Sequence, residues 1–383
     1  MADTYLITGA TGFVGGHVVD ACLERGIAVH ALARPSSDTR LLDRPGVRLF
    51  TGDVTDPASL PPALEGADVV VHCAAKVGDW GPVDDYRRVN VGGLRNLLEA
   101  CRGRPLRRFV HISTLGVYEA RHHHGTDETE PLPESHIDGY TQSKVEAERV
   151  ALEYHKEHGV PVVILRPGFV YGPRDRTVLP TLVAALRRGI VWYFGGGRAA
   201  LNTTAVRNLV DAVFLAAERP EAVGQVYNIT DGEFVSKRRF FEAIADGLDL
   251  PRPWRSVPLW LGKTAARLVE GRARRKGWPT APRLTQARIK FLGLNLDFSI
   301  AKARRELGYN PRYGFDEAMR ETVEWLRGQA DARGGEGAAP AEPSQRWEGG
   351  AAAEPLTSAP QQRRPPENAS PPHSSPSRVD GNG

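Results

Sequence analysis

Tyr140 and Lys144 stand four residues apart in the run Gly139-Tyr140-Thr141-Gln142-Ser143-Lys144. On a helix this spacing stacks two side chains on one face, so an ammonium can lie beside a phenol. A free phenol has a pKa of about 10, and a neighbouring cation favours its ionised form. The expectation is that Lys144 lowers the Tyr140 pKa, fitting that phenol to exchange protons as an acid or base. A Tyr and a Lys also meet at this spacing by chance, so the pair needs a second signal.

The N-terminus supplies one. Tyr5-Leu6-Ile7-Thr8 reads as a short buried strand, Gly9-Ala10-Thr11-Gly12-Phe13-Val14-Gly15 as a glycine turn, and His17 to Arg25 as a helix, from the spacing of Val18, Ala21 and Cys22. Gly9 permits the tight turn, Gly12 lets backbone approach a pyrophosphate, and Gly15 allows close helix-on-strand packing. The helix N-terminus offers free N–H groups and a positive dipole end to phosphates. A dinucleotide therefore fits here, with Thr11, Phe13 and Val14 beside it. The spacing is GxxGxxG, wider at the first gap than the usual fingerprint.

Ala28 to Ala33 predicts a second strand. Where an acidic residue would bind a ribose hydroxyl, Arg34 follows instead, with Ser36 and Ser37 behind it, an arrangement suited to a 2′-phosphate. The reading is NADP in preference to NAD; if Arg34 stacks on adenine or faces solvent, either cofactor would serve. A third strand begins at Val47 and ends at Gly52-Asp53-Val54, placing Asp53 in reach of the adenine amino group with Val54 beside it. Ala67 to Ala75 is a fourth strand, continuously apolar as a parallel sheet covered on both faces requires. Ala74 and Ala75 leave room for the cofactor, and Lys76 follows them among the candidate contacts.

The alternation continues with a helix from Tyr86 to Cys101 containing Asn90, and a strand from Arg108 to Thr114. Ser113 and Thr114 emerge at the strand's C-terminal end, where open α/β sheets bind ligands, and one of them can bind a carbonyl alongside Tyr140. A sixth strand covers Pro161 to Gly168, ending in Pro167, and Gly168 and Val170 there can offer backbone groups to a nicotinamide amide.

Taken in order, the TGATGFVG loop, GDVTD, HCAA, VNVGG, HISTLGVY, YTQSK, LRPGFVYGP, VRNLVDAV and YNITDG resemble the extended short-chain dehydrogenase/reductase family, also called the NAD-dependent epimerase/dehydratase family. The resemblance spans Thr4 to Arg327. It implies a Ser/Thr, Tyr, Lys triad, with Thr114 as the hydroxyl and Ser113 just before it. It also gives Asn90 a structural role and lets Lys144 bind the nicotinamide ribose. Leu115 and Gly116 occupy the positions where sugar dehydratases carry an Asp-Glu pair, which speaks against dehydration. The late blocks look most like the 3β-hydroxysteroid and sterol dehydrogenase branch, with dihydroflavonol-reductase-like ketone reductases close behind. Arg34 fits the reductases better, and the NAD-type steroid enzymes carry an Asp that this chain lacks.

The expected fold is α/β, a Rossmann-type doubly wound parallel sheet over residues 1–175, a smaller mixed α/β substrate-binding region over 176–327, and a disordered tail from Gly328 to Gly383. In the tail only Trp347, Leu356 and Val379 are large apolar residues, too few to offset chain entropy. Formal charge is +4, with acidic and basic residues nearly balanced and no long basic run interleaved with aromatics, so nucleic acid is not suggested. Cys22, Cys73 and Cys101 lack metal-like spacing and fit reduced thiols in a cytoplasm. No signal peptide precedes Tyr5, and no apolar run approaches the roughly 20 residues that cross a bilayer. His122-His123-His124 reads as a solvated loop, not a metal site.

Between Pro253 and Pro282, Trp254, Val257, Leu259, Trp260, Leu261, Ala265, Leu268 and Val269 recur at helical spacing beside Lys263, Arg267, Arg272, Arg274, Arg275 and Lys276. The favoured reading is a lid packed over an apolar substrate; the other is a basic amphipathic helix on an anionic membrane. The function expected is NAD(P)-dependent interconversion of a secondary alcohol and a ketone on an apolar, sterol-like substrate. The alternatives are a nucleotide-sugar 4-epimerase with recycled cofactor and a non-catalytic dinucleotide-binding protein. A homodimer is implied by resemblance alone.

Overall fold

The computed structural model describes residues 3–334. The apolar strands form a seven-stranded parallel sheet of β1 (Thr4–Thr8), β2 (Ala28–Ala33), β3 (Val47–Thr51), β4 (Val69–His72), β5 (Arg108–Ile112), β6 (Val162–Pro167) and β7 (Val226–Ile229). Their spatial order is β7-β6-β5-β4-β1-β2-β3. It reverses between β1 and β4, and a doubly wound sheet opens its ligand crevice there, beyond the C-terminal strand ends.

Helices α1 (Phe13–Glu24), α2 (Gly139–His158) and α3 (Val206–Glu218) cover the two faces. Successive strand residues point to opposite sides. Tyr5 and Ile7 therefore cluster with Val18, Val19, Leu209 and Val213 of α1 and α3, while Leu6 clusters with Ala147, Val150 and Ala151 of α2. Each fully buried Val or Leu contributes about 1.5–3 kcal/mol, so this alternation pins every strand between two helical layers.

Helix α1 starts at Phe13, not His17, because Gly12 is its N-cap and the glycine loop forms the first turn. The helix expected from Tyr86 to Cys101 is composite. An α turn over Val83–Tyr86 passes through a π segment, Arg87–Gly92, into α structure over Gly93–Cys101.

Beyond β6, Leu179, Leu182 and Val183 pack with Phe240, Phe241, Ile244, Phe315 and Met319 in a second apolar cluster. Further along lie α4 (Leu259–Arg275), α5 (Gln286–Gly293) and α6 (Phe315–Gly334). Because α6 continues through Gly334, the tail cannot begin at Gly328. A single internal glycine costs a helix only about 1 kcal/mol, so Gly328 does not end it. The rest of the expected tail lies outside the described residues.

The histidine run is solvated only in part: His122 and His124 are exposed, but His123 is not. His123–Thr126 is a strand paired with Leu296–Phe298, and His123 is buried with its ring 4.5 Å from that of Phe298. Its nitrogens bond Thr126 Oγ1 and the Glu119 carbonyl. The partner strand is remote in sequence, so local polarity misleads here.

The glycine loop is tightly specified. Gly9 adopts φ +70°, and a Cβ on Gly15 would lie 2.2 Å from the Gly9 carbonyl oxygen. Gly15→Ala is expected to lower the melting temperature and to weaken dinucleotide binding at least about tenfold, or 1.4 kcal/mol. Calorimetry and nucleotide titration check this; wild-type values for both would mean that the loop is not packed this way.

Candidate active site

Asp138 caps α2, its Oδ1 accepting the Thr141 N–H at 2.8 Å. Glycine is required next, since a Cβ on Gly139 would sit 2.9 Å from the Tyr86 ring and 3.0 Å from Val83 Cα. That close approach sets the start of α2 against the Val83–Tyr86 turn. Tyr140, Lys144 and Glu148 then follow at intervals of one turn along a single stripe.

The stripe meets the C-terminal edge of β5. Thr114 Oγ1 accepts the Gly116 N–H at 3.0 Å, and the same side chain is near enough to the Tyr140 phenol to favour its ionised form. Lys144 is buried and its Nζ donates to the Ile112 carbonyl at 2.6 Å. Ser113 takes a different course. Its hydroxyl donates to Glu148, whose carboxylate is paired at 2.6 Å with Arg166, both of them buried. Arg166 donates to Tyr118 Oη at 2.8 Å, and Tyr118 donates to Asn228 Oδ1 at 2.9 Å. Ser113 thus belongs to a structural network, which leaves Thr114 as the hydroxyl beside Tyr140.

Burial pushes the Tyr140 phenol above its ordinary pKa, and the Asp138 carboxylate adds to the rise; the Thr114 side chain opposes it. The expected lowering by Lys144 is not found. Lys144 is itself drawn down to about 8, mainly because burial disfavours its charge, with Glu148 opposing, and its ammonium is aimed at a carbonyl instead of the phenol. Beneath it His72 and His111 stack with ring centroids 5.4 Å apart. Burial drives His72 down to about 3 and His111 well below the usual range, so both rings stay neutral.

The crevice suits a dinucleotide. The N-cap of α1 carries no side-chain hydrogen bond and its first turn holds no acidic residue, leaving N–H groups open to an anion beside Thr11, Phe13 and Val14. Arg34, half-buried, directly follows β2 and makes no ion pair among the described residues. Asp53 Oδ1 is oriented by Thr55, accepting its N–H and hydroxyl each at 2.8 Å. Val54 is buried, and a Cβ on Gly93 would press on it at 2.7 Å. The Ala74 N–H reaches Thr8 Oγ1 at 3.3 Å, with Ala75 next to it.

Lys76 is brought to the crevice but held there. Asn90, in the π segment, accepts its N–H at 2.7 Å and donates to its carbonyl at 2.9 Å, while its ammonium pairs with Asp85 at 3.0 Å. Asn90 also donates to Ser143 Oγ at 2.8 Å, joining the β4 loop to α2. Of the backbone groups of Gly168, the N–H is not free for a nicotinamide amide. That N–H already bonds the Ile229 carbonyl and Thr204 Oγ1, each at 3.0 Å, and a Cβ on Gly168 would lie 2.0 Å from the Asn202 carbonyl oxygen. The neighbouring Val170 lies in a short strand, Phe169–Tyr171, paired with Thr203–Ala205.

Sequence reasoning missed the Glu148–Arg166 pair, the stacked histidines and Lys290. Lys290 of α5 donates to the carbonyls of Gly116 at 2.7 Å and Tyr118 at 2.9 Å, fixing the turn that follows Thr114. Polar residues inside helical and strand patterns were the available signal for all of them. The apolar positions of α4 are also corrected: its inward face is Gly262, Ala266, Glu270 and Ala273, while Trp260, Leu261 and Leu268 face outward.

Residues 5–230 match the model of the NAD dependent epimerase/dehydratase family. The chain belongs to that family. Among relatives, the 4-hydroxy-2-methyl-3-oxo-4-farnesyl-3,4-dihydroquinoline-1-oxide ketoreductase of Stigmatella aurantiaca is 32% identical, over 82% of this chain and 93% of its own. The 3 beta-hydroxysteroid dehydrogenase/Delta 5-->4-isomerase of Mycobacterium tuberculosis is 33% identical, over 83% and 89%. The structure of MoeE5 in complex with UDP-glucose and NAD superposes with a TM-score of 0.66 at 26% identity, over 86% of this chain and all of that one, 100%. Family and relatives together make this an NAD(P)-dependent oxidoreductase of the extended short-chain type.

Removing one partner of a buried ion pair costs about 3–5 kcal/mol. Glu148→Ala, which leaves Arg166 buried without its carboxylate and Ser113 without its acceptor, is expected to lose stability on that scale in chemical denaturation. A loss below about 1 kcal/mol would place the pair in the range of exposed ion pairs.

Proposed function

We propose that the chain interconverts a secondary alcohol and a ketone on an apolar, sterol-like substrate, with Tyr140 as the acid or base. The observation that carries this reading is the convergence of the Thr114 and Tyr140 hydroxyls at the C-terminal end of β5, with the buried Lys144 ammonium one helical turn away. Bound nicotinamide supplies the hydride in reduction and accepts it in oxidation. Thr114, whose oxygen is held by the Gly116 N–H, donates its proton toward the reacting oxygen and orients it. Tyr140 gives its proton to that oxygen during reduction and takes it back during oxidation. Lys144 and the N-terminus of α1 place positive charge where phosphate and ribose would be held, and Arg34 favours NADP. The ketoreductase and hydroxysteroid relatives support the ketone and the apolar substrate class.

Tyr140→Phe is expected to lower kcat at least about a hundredfold, the usual scale of acid-base catalysis, while leaving nucleotide affinity near wild type. Near-normal turnover of the variant in a ketone and sterol panel with NADH and NADPH would exclude this role.

The pH profile is a second check. Reduction needs a protonated phenol, and burial keeps Tyr140 protonated, so kcat/KM for reduction is expected to stay level through neutrality. It should fall only as Lys144 loses its proton near its value of about 8. In oxidation the ionised phenol acts, so the rate should rise with pH below that point; a reduction rate that fell from acid toward neutral pH would contradict the assignment. The second reading, a nucleotide-sugar epimerase, draws on MoeE5, which was solved with UDP-glucose and NAD; such an enzyme would carry tightly held cofactor and turn over without added NAD(P).

A further inference from the structure

Helix α4 wears its amphipathicity inside out. The residues it buries are small or paired: Gly262, where a Cβ would strike the Phe194 ring at 2.3 Å, then Ala266, Ala273 and Glu270, which is bonded to Arg274. Its opposite face carries Trp260 at 68% exposure and Leu268 at 67%, with Leu268 between Trp260 and Leu261 in projection. Beside its N-terminal end the strand Ser256–Val257 pairs with Tyr193–Phe194. There Arg255 bridges two further exposed indoles, 5.5 Å from the Trp192 ring and 5.0 Å from that of Trp254. Large exposed side chains concentrated in this way mark an interaction surface.

The segment that carries them is strongly basic. From Leu250 to Leu296 there are eleven Arg and Lys residues and one carboxylate, the buried Glu270. Since the whole chain carries only +4, the remainder is net acidic and this segment is basic; Arg252 pairs with Asp246 and Arg288 with Asp79, while Arg267, Arg272 and Arg275 make no ion pair among the described residues. Arg267, Arg272 and Arg275 lie on the exposed side of α4. Exposed tryptophans and leucines ringed by Arg and Lys match the two layers of an anionic lipid surface, an acyl boundary below charged headgroups. No described helix is long and apolar enough to cross a membrane, so the contact would lie in the interfacial plane.

The patch adjoins the catalytic crevice. Trp80 donates to the Trp278 carbonyl at 3.0 Å and lies under Arg274 at 5.0 Å, while Asp79 pairs with Arg288 at 2.9 Å. The Trp80 carbonyl accepts the hydroxyl of Tyr86, the ring against which Gly139 is packed. We infer that the outward face of α4, with Trp192 and Trp254, docks this protein on the surface of an anionic bilayer, from which an apolar substrate enters the crevice. The substrate part of this inference rests on the function proposed above; the docking part does not.

Flotation of the full-length protein with vesicles of phosphatidylcholine alone, or with about a third phosphatidylserine, tests the docking without reading turnover. Binding to the anionic vesicles is expected, falling at least about tenfold when salt is raised from about 0.1 to 0.5 M, because the charge term is screened over a shorter distance. Trp260→Ser with Leu268→Ser should abolish flotation at either salt, and Arg272→Glu with Arg275→Glu should abolish it at low salt. Both double variants should keep the wild-type melting temperature and turnover of a water-soluble ketone. Absence of flotation, flotation unaffected by either double variant, or a dimer dispersed by Trp260→Ser in place of vesicle binding would each overturn the inference. A protein that floats as expected but reduces no ketone would retain the docking surface and lose the proposed reaction.

Discussion

The contact on which the site depends is the buried ammonium of Lys144 against the carbonyl at the end of β5. A cation removed from water is tolerated only with strong partners, and here they are the Ile112 oxygen and, more distantly, the Glu148 carboxylate. This constraint fixes the rotation of α2 about its axis. With that rotation set, Tyr140 one turn before Lys144 reaches Thr114, and Glu148 one turn after it reaches Ser113 and Arg166. The neutral histidines beneath leave Lys144 without a competing cation at close range.

Around this contact the structure is layered by purpose. Gly139 and Gly15 are positions where backbone must approach other atoms more closely than a Cβ permits, one setting the start of α2 and the other packing α1 onto β1. Polar clamps hold the loops: Asn90 joins the β4 loop to α2, and Lys290 secures the turn after Thr114. Asn208 bonds Asp231 at 2.8 Å and also receives the N–H groups of Arg312 and Tyr313, tying α3 to the segment before α6. The late family blocks are therefore mostly fastening, which explains their polar residues in buried places.

The central sheet was legible because its strands are continuous apolar runs and its glycine loop has a mechanical reason for each glycine. The Tyr140 and Lys144 spacing was legible for the same local reason. What local pattern could not convey was anything made between distant segments: β7, the strand formed by His123 with Leu296–Phe298, and the capture of Ser113 by Glu148. The tyrosine's electrostatics were misjudged because spacing puts Lys144 near Tyr140 without showing where the ammonium points. Helix α4 misled in a further way, since its periodicity was real but, Leu259 apart, its large residues face outward.

A crystal structure with oxidised nucleotide and an unreactive ketone analogue tests the central claim most directly. The account predicts the analogue oxygen within hydrogen-bond distance of both the Tyr140 and Thr114 hydroxyls, with the nicotinamide beside them and Lys144 on the ribose. An analogue bound elsewhere, or a nicotinamide placed away from Tyr140 while the sheet and helices stay as described, would contradict it.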